Sequence, residues 1–328
     1  MNVKNELLKA LAASSSSFVS GTELADTLGV SRNAVWKAVK ALQSEGYEIE
    51  SSPAKGYRIS AINSKLSAEL ISAALTTSHL GRNIIVLDEV DSTNNYAKNL
   101  ASKGAAHGTT VAADTQTSGK GRLGRKFVSP SEKGIYFSTI IRPEFGIETA
   151  SMITSAAAVA AARAVEELSD ADVKIKWVND LYINGKKICG ILTEASLGLE
   201  MKRLDYAVIG IGINVRRSEE SFGRELSDVA TSIESETKKI IDRNILCAAV
   251  LNRLEGILGC IENRGFIEEY RRREMLTGNM ITANIGGEAC HGKALGIDDN
   301  ANLIIEFSDG TIRHIGSGEA NLCRIAEQ

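Results

Sequence analysis

Apolar and polar positions along this chain follow two periods, and the changes of period divide it into parts. In the first 60 residues the apolar positions recur at helical spacing: Leu24 and Leu28 lie one turn apart, and Val35, Val39 and Leu42 follow at i, i+4 and i+7. Ser20-Gly-Thr-Glu23 has the form of a capping box opening the first of these helices, Gly29 stops it, Ser31 caps the second and Gly46 ends it. Asn33, Lys37 and Lys40 recur on a different face of that second helix. Two strand-like runs, YEIES and GYRIS, flank Ser52-Pro53-Ala54-Lys55, which reads as a hairpin turn. Helix, helix-turn-helix and hairpin in this order predict a winged helix-turn-helix over residues 1–62.

A short linker follows, and a helix-like stretch from Ser67 to Ala74 opens the next unit, predicted to run over residues 67–273. Its strand-like runs are NIIVLDEV, TTVAAD, IYFSTIIR, VKIKW, KICGILTEAS and DYAVIGIGINV, mixed with helices over 94–103, 150–168 and 243–262. The pattern predicts an α+β domain with a large sheet. Beyond a charged helix ending near Arg273, the β-runs of residues 274–328 are divided by Gly286-Gly287, Asp298-Asp299-Asn300 and Ser308-Asp309-Gly310, giving a small β-barrel or sandwich. The one low-complexity stretch, Ser14 to Ser17, reads as a loop.

Composition narrows the class without naming a function. With 328 residues, 43% of them hydrophobic and 24% charged, the chain can form two or three domains with real cores. A net charge of −3 supplies no global attraction to nucleic acid or membrane, so such contacts must come from local patches. Cys189, Cys247, Cys260, Cys290 and Cys323 are widely spaced, form no CxxC pair and read as free thiols of a reducing compartment. The start, MNVKNELLKA, has no apolar signal core, and the Ala-rich stretch Met152 to Val165 is too short to span a bilayer. A cytoplasmic protein with no membrane contact is expected.

Residues 1–60 carry seven Lys/Arg against six Asp/Glu, so distribution rather than sum points to DNA. The second helix of a helix-turn-helix enters the major groove, where its polar residues meet base edges. Here those are Arg32, Asn33, Trp36, Lys37 and Lys40, with Lys55 and Arg58 on the wing placed for phosphates, while Glu45, Glu48 and Glu50 lie beyond the reading helix.

The stretch GKGRLGRKF has the spacing Gly119-x-Gly121-x-x-Gly124 of a dinucleotide-binding turn, but KFVSPSEKGIYFSTII after it contains a proline, a turn and a strand instead of a helix. Lys120, Arg122, Arg125 and Lys126 sit among these glycines without a carboxylate, which suits recognition of a phosphate or carboxylate. In KIKWVNDLYINGKKICGILTE, Asn184-Gly185 is a type I′ hairpin signal that brings Lys187 close to Asn179 and Asp180, able to position an anion and a metal ion. In EVDSTNNYAK, Ser92, Thr93 and Asn94 fall at a strand-to-helix transition, where one of them is expected to cap the helix.

Together these segments resemble the biotin protein ligases. The matching motifs are DSTN (91–94), QTSGKGRLGR (116–125), KWVND (176–180), KKICGIL (186–192) and GIGIN (210–214), in family order and spacing. The winged helix and the β-rich tail resemble the longer, bifunctional members that also repress the biotin biosynthetic operon. The resemblance implies a class II synthetase-like central domain with a large mixed sheet and an SH3-like C-terminal barrel. It implies ATP and Mg2+ as cofactors, biotin as substrate and, as its adenylate, corepressor. Biotin carboxyl carrier protein and operator DNA are the implied partners, with a homodimer when the adenylate is bound.

By the same resemblance Ser92, Thr93, Asn94 and Gln116 hold biotin's ring and chain. Lys120, Gly121 and Arg122 belong to the loop that folds over biotinyl-5′-AMP, and Lys187 meets the reacting carboxylate and phosphate; Lys187, Arg122 and Lys120 are the implied catalytic groups. Arg125, Lys176, Asn179, Asp180 and Asn214 support the nucleotide, and Mg2+ is carried on its phosphates with Asp180 beside it. Two positions depart from the family pattern: Lys120 replaces an arginine and loses its bidentate fork, and Val178 replaces a proline and relaxes a rigid turn. Two other readings are a ligand-sensing repressor without ligase activity and a lipoate or octanoate ligase, since fold does not fix the substrate.

Overall fold

A computed structural model of the chain describes residues 3–14, 17–60, 65–198, 203–216 and 229–323; Ser15, Ser16 and the linker residues 61–64 lie outside the described residues. Helices α1 (Val3–Ala13), α2 (Gly21–Leu28) and α3 (Arg32–Ser44) bury Leu7, Leu8, Leu11, Leu24, Val35, Val39 and Leu42 in one cluster. The expected caps form: Ser20 Oγ accepts from Glu23 N at 3.1 Å and Ser31 Oγ from Ala34 N at 3.2 Å. Gly29 closes α2 in the left-handed region at φ 64°, where a Cβ is strained. Strands β1 (Ile49–Ser52) and β2 (Gly56–Ile59) form the wing, paired antiparallel, and an isolated bridge ties Val19 to Tyr57.

Helix α4 (Ala68–Ala74), capped by Ser67, packs against both α1 and the long helix that crosses the next unit. That unit is built on a seven-stranded mixed sheet in the order β3 (Ile84–Val90), β4 (Thr110–Gln116), β5 (Gly134–Ile141), β9 (Arg203–Asn214), β8 (Lys186–Gly198), β7 (Asp180–Ile183), β6 (Lys174–Lys176). Only the β3–β4 pair is parallel, joined by the crossover helix α5 (Thr93–Ser102). Every residue of β5 is buried, as befits a strand covered on both faces.

After the short helix α6 (Ile147–Ala150) comes α7 (Ile153–Ser169), whose run of alanines is buried almost throughout, small side chains letting it lie close to its neighbours. It packs against α9 (Arg243–Leu258), which follows α8 (Ile233–Thr237). α5 covers the opposite face with Ala97 and Ala101 against Val111, Ile140 and Val208. The helix expected over 243–262 stops at Leu258, and Ile261–Asn263 form a separate 3-10 turn.

After α10 (Ile267–Arg273) the chain forms a five-stranded antiparallel sheet of β10 (Met280–Ile285), β11 (Glu288–Ile297), β12 (Leu303–Phe307), β13 (Ile312–Ile315) and β14 (Glu319–Leu322), in the order β13-β12-β11-β10-β14. Its Ile281, Ala294, Leu303, Ile305 and Ala320 join the same apolar cluster as Ile175, Trp177 and Val178 of the central unit, and Trp177 Nε1 donates to Ala301 O at 3.1 Å. The Trp177–Val178 peptide is cis. Val178 is buried and its carbonyl accepts from Tyr270 Oη at 3.2 Å, so the turn expected to relax without its proline is held by packing. Among the described residues no helix is long and apolar enough to cross a membrane.

Candidate functional site

A cavity of about 310 Å³ opens where β4, β7, β8, β9 and the loop after β4 meet the C-terminal sheet. Ser92, Thr93, Asn94, Gln116, Lys120, Gly121, Arg122, Arg125, Lys176, Asn179, Asp180 and Lys187 all line it, although they span almost a hundred positions of sequence. Asn214 does not line it: it is buried at the end of β9, with Nδ2 donating to Thr231 O at 3.1 Å.

One end is neutral and buried. Ser92 occupies the N-cap position of α5 without making a side-chain cap bond, so the capping role expected here is not filled. Thr93 N and Oγ1 face Gln116 Oε1 at 2.9 and 3.1 Å, and Gln116 Nε2 donates to Ser129 Oγ at 2.8 Å. Asn94 Nδ2 donates to Glu194 Oε2 at 2.9 Å and to Leu192 O at 3.3 Å, while Lys98 Nζ donates to Glu194 Oε1 at 2.5 Å. Burial alone raises the Glu194 carboxyl, and the bonds from Lys98 and Asn94 outweigh it, holding the group below its ordinary value.

Glycines shape this end. Gly210 leaves room for Asn94, whose Oδ1 a Cβ would strike, and a Cβ on Gly212 would lie 2.6 Å from the Phe127 ring. Gly190 and Gly212 are direct partners in the β8–β9 ladder, with Gly210 opposite Leu192, so the paired strands present a bare floor on which Phe127 rests.

The other end is cationic, and five of its cations rest on polar partners. Lys120 Nζ donates to Asn95 Oδ1 at 2.7 Å, Arg122 Nη1 to Asn179 Oδ1 at 3.2 Å and Lys176 Nζ to Asn321 Oδ1 at 2.5 Å. Arg125 grips Glu319 through both terminal nitrogens, at 2.6 and 2.8 Å, and Lys187 pairs with Asp180 Oδ2 at 2.7 Å. The Lys187–Asp180 contact follows from the hairpin: Asn184 and Gly185 have φ of 50° and 76°, and a register shift after Leu181 sets Lys187 opposite Tyr182. Burial lowers the Lys176 ammonium below the ordinary lysine value.

The basic loop contains only a 3-10 turn, Arg122–Gly124, with Leu123 left-handed at φ 54°; no helix follows to receive a pyrophosphate as a dinucleotide turn would require. Gly119 is needed because a Cβ there would meet the Phe127 carbonyl. Asp180 Oδ1 is buried and without a hydrogen-bond partner, an acceptor left for a donor or a cation. The described residues contain no cluster of three or more His, Cys, Asp or Glu that holds a metal unaided.

Sequence reasoning missed Phe127, Ser138, Glu194, Glu319 and Asn321. The alternating glycines of ICGIL and IGIGIN, facing one another on adjacent strands, were a readable sign of a bare floor; nothing in the tail marked Glu319 or Asn321.

On the winged helix, Arg32, Asn33, Lys37 and Lys40 are exposed on α3, and Trp36 keeps 49% of its surface. Lys55 is exposed on the wing, its Nζ 5.8 Å from the Phe18 ring centroid. Arg58 differs from the expectation of a free phosphate contact: it pairs with Glu50 at 2.6 Å and lies 4.5 Å over Phe18, so its charge is partly spent inside the module.

Three family models match the chain in order: an HTH domain over residues 3–58, the biotin/lipoate A/B protein ligase family over 86–214 and a biotin protein ligase C-terminal domain over 277–322. The bifunctional ligase/repressor BirA of Bacillus subtilis is 38% identical, the match covering 98% of each chain. That of Escherichia coli is 32% identical over 95% of this chain and 94% of its own. The biotin protein ligase of Aquifex aeolicus, solved in complex with biotin and ATP, superposes with a TM-score of 0.62 at 31% identity, covering 74% of this chain and 98% of the other. A relative this similar along its whole length, matched in all three parts, places the chain in the biotin protein ligase family, among its bifunctional ligase/repressors.

Proposed function

We propose that the protein activates biotin with ATP and transfers it to a lysine of biotin carboxyl carrier protein, and that with biotinyl-5′-AMP bound it dimerises and represses an operator. The supporting observation is that twelve of the thirteen ligand-site residues implied by the resemblance, Asn214 excepted, converge on one cavity with a neutral, buried end and a cationic, open end. An acyl group with a polar ring fits the first end, and a nucleotide's phosphates fit the second.

In the first step an oxygen of the biotin carboxylate attacks the α-phosphorus of ATP, forming the acyl–phosphate bond and expelling pyrophosphate. In the second, the carrier's lysine amine attacks the acyl carbonyl, AMP leaves and the amine loses a proton. Both approaching groups of the first step are anions, so Lys187, Arg122 and Lys120 offset their repulsion and stabilise the charge that develops. Each can exchange its present partner, Asp180, Asn179 or Asn95, for a phosphate oxygen. Arg125 and Lys176 lie further out, towards the C-terminal sheet.

A magnesium ion bound with the nucleotide would supply charge neutralisation for the pyrophosphate. Asp180 is the residue that fits it, through its unpaired buried oxygen. Closure of the basic loop excludes water from an adenylate that water would hydrolyse.

Operator recognition falls to α3 through Arg32, Asn33, Trp36, Lys37 and Lys40, with Lys55 on phosphate. The five free cysteines accord with a reducing, cytoplasmic compartment.

Incubation with biotin, Mg-ATP and a biotin-carrier domain is expected to label one carrier lysine and release pyrophosphate; binding of biotin without pyrophosphate release would leave only a sensing repressor. Competition with lipoate separates the two acyl groups. Deleting residues 1–60 should abolish operator binding and leave ligation.

A further inference from the structure

Lys187 sits where the central sheet changes neighbours. The β8–β9 ladder begins at Cys189 opposite Ile213, and β9 ends at Asn214, so Lys187 lies beyond the strand that flanks the rest of β8. Residues 229–231 take that strand's place. Lys187 N donates to Val229 O at 2.9 Å, Thr231 N donates to Lys187 O at 2.8 Å, and Ala230 forms a parallel bridge with Lys187. On its other side Lys187 stands opposite Tyr182 of β7. Both main-chain polar groups of the lysine are therefore paired to a segment that comes well after it in the chain.

Two side chains hold that segment from outside the cavity. Asn214, buried at the end of β9, donates from Nδ2 to Thr231 O at 3.1 Å. Glu236 on α8 accepts from Thr231 Oγ1 at 2.8 Å through one carboxylate oxygen and from Asn184 Nδ2 at 2.9 Å through the other. Asn184 is the left-handed residue, φ 50°, of the turn between β7 and β8. The bonds from Asn184 and Thr231 outweigh burial and hold the Glu236 carboxyl below its ordinary value, so it stands as an ionised acceptor for both. One carboxylate thus ties the hairpin tip on one side of Lys187 to residues 229–231 on the other. Val229 and Ala230 line the cavity; Asn214 and Glu236 do not.

We propose that Asn214 and Glu236 are positioning residues of the adenylation step, acting through the main chain of Lys187. An ammonium on a flexible four-carbon stem is delivered only as accurately as its Cα is held. Misplacing a catalytic group by about 1 Å costs on the order of 100-fold in rate. Asn214 supplies the donor and Glu236 the acceptor that keep residues 229–231 beside Lys187; without either, the segment can slide and the lysine's main chain moves with it. Asn214, implied by the resemblance to support the nucleotide, does so at one remove. The inference rests on the ligase reading of the same cavity and adds to it two residues that act without lining it.

The test is a double-mutant cycle on the full chain, reading the single-turnover rate of pyrophosphate release with biotin and Mg-ATP. Asn214→Asp, which keeps the shape and loses the donor, and Glu236→Ala should each lower that rate about 10-fold, with the half-saturating biotin concentration within about twofold of wild type. In a Lys187→Ala background the same substitutions should cost less than about twofold, because the group they position is gone. Thr231→Val removes only the hydroxyl that Glu236 holds and should lose about threefold, while Thr231→Ser should lose nothing. Melting temperatures show which variants fold, and the milder Thr231 pair carries the cycle if the others do not. Equal losses with and without Lys187, or a half-saturating biotin concentration that rises in step with the fall in rate, would overturn the proposal. Absence of pyrophosphate release by wild-type enzyme with biotin is a separate result that overturns the ligase reading and this inference with it.

Discussion

The two ends of the cavity are built by opposite means. At the neutral end Ser92, Thr93 and Asn94 are 1 to 4% exposed and sit at the start of a helix packed on the sheet, and Thr93 and Asn94 have hydrogen-bond partners on strands β5 and β8. At the cationic end Arg125 keeps 67% of its side chain in solvent, the loop has left-handed Leu123 at its centre, and Lys120, Arg122, Arg125, Lys176 and Lys187 lean on partners they can exchange. The first end can discriminate because its geometry is fixed before a ligand arrives, and the second can follow a changing charge because its geometry is not.

Breaking the cationic end at its most central point should have the largest effect. Lys187→Ala removes the ammonium paired to Asp180 and leaves that carboxylate facing the phosphates, so adenylate formation, read as pyrophosphate release, should fall about 100-fold or more in kcat with a smaller change in KM for biotin. At the neutral end, Gly210→Ala drives a methyl group into Asn94 Oδ1; KM for biotin should rise roughly 10- to 100-fold while KM for ATP stays within about twofold. Equal changes in both constants would show that the two ends are not separable.

Smaller effects sharpen the contrast. Burial lowers the Lys176 ammonium, so its charge is lost on the alkaline side sooner than an ordinary lysine's; KM for ATP should rise severalfold as pH climbs towards the ordinary lysine value of about 10.4. Lys176→Arg, always charged, should flatten that limb while leaving the biotin profile alone. Glu319→Gln cuts the grip on the exposed Arg125, worth at most about 1 kcal/mol, so the adenylate should escape only about two- to fivefold faster, with the difference shrinking in high salt.

The same contrast decides what could be read from sequence. The winged helix was legible because its core recurs at helical spacing and its caps are local: Ser20, Gly29 and Ser31 do what their types predict. The basic loop and the Asn184-Gly185 hairpin were legible because charge and turn chemistry are written over a few adjacent residues. Ser138 reads as one more small residue inside an apolar strand, and its contacts depend on Thr93 and Asn94 being folded over it. Glu319 and Asn321 approach from the far end of the chain, a meeting that no local pattern encodes. Arg58 was misjudged for a similar reason, since its partner Glu50 lies across a hairpin and looked like a charge set apart from the reading surface.

The core shared by the central unit and the C-terminal sheet has a consequence for synthesis. The winged helix leaves the ribosome before the central unit with its own apolar cluster nearly complete, whereas Trp177, Ile175 and Val178 wait for Ile281, Leu303 and Ala320, which lie more than a hundred positions further along the chain. A nascent chain can therefore present a folded DNA-reading module well before its pocket closes. A closed pocket marks a chain made through the C-terminal sheet, and the winged helix alone is no sign of one.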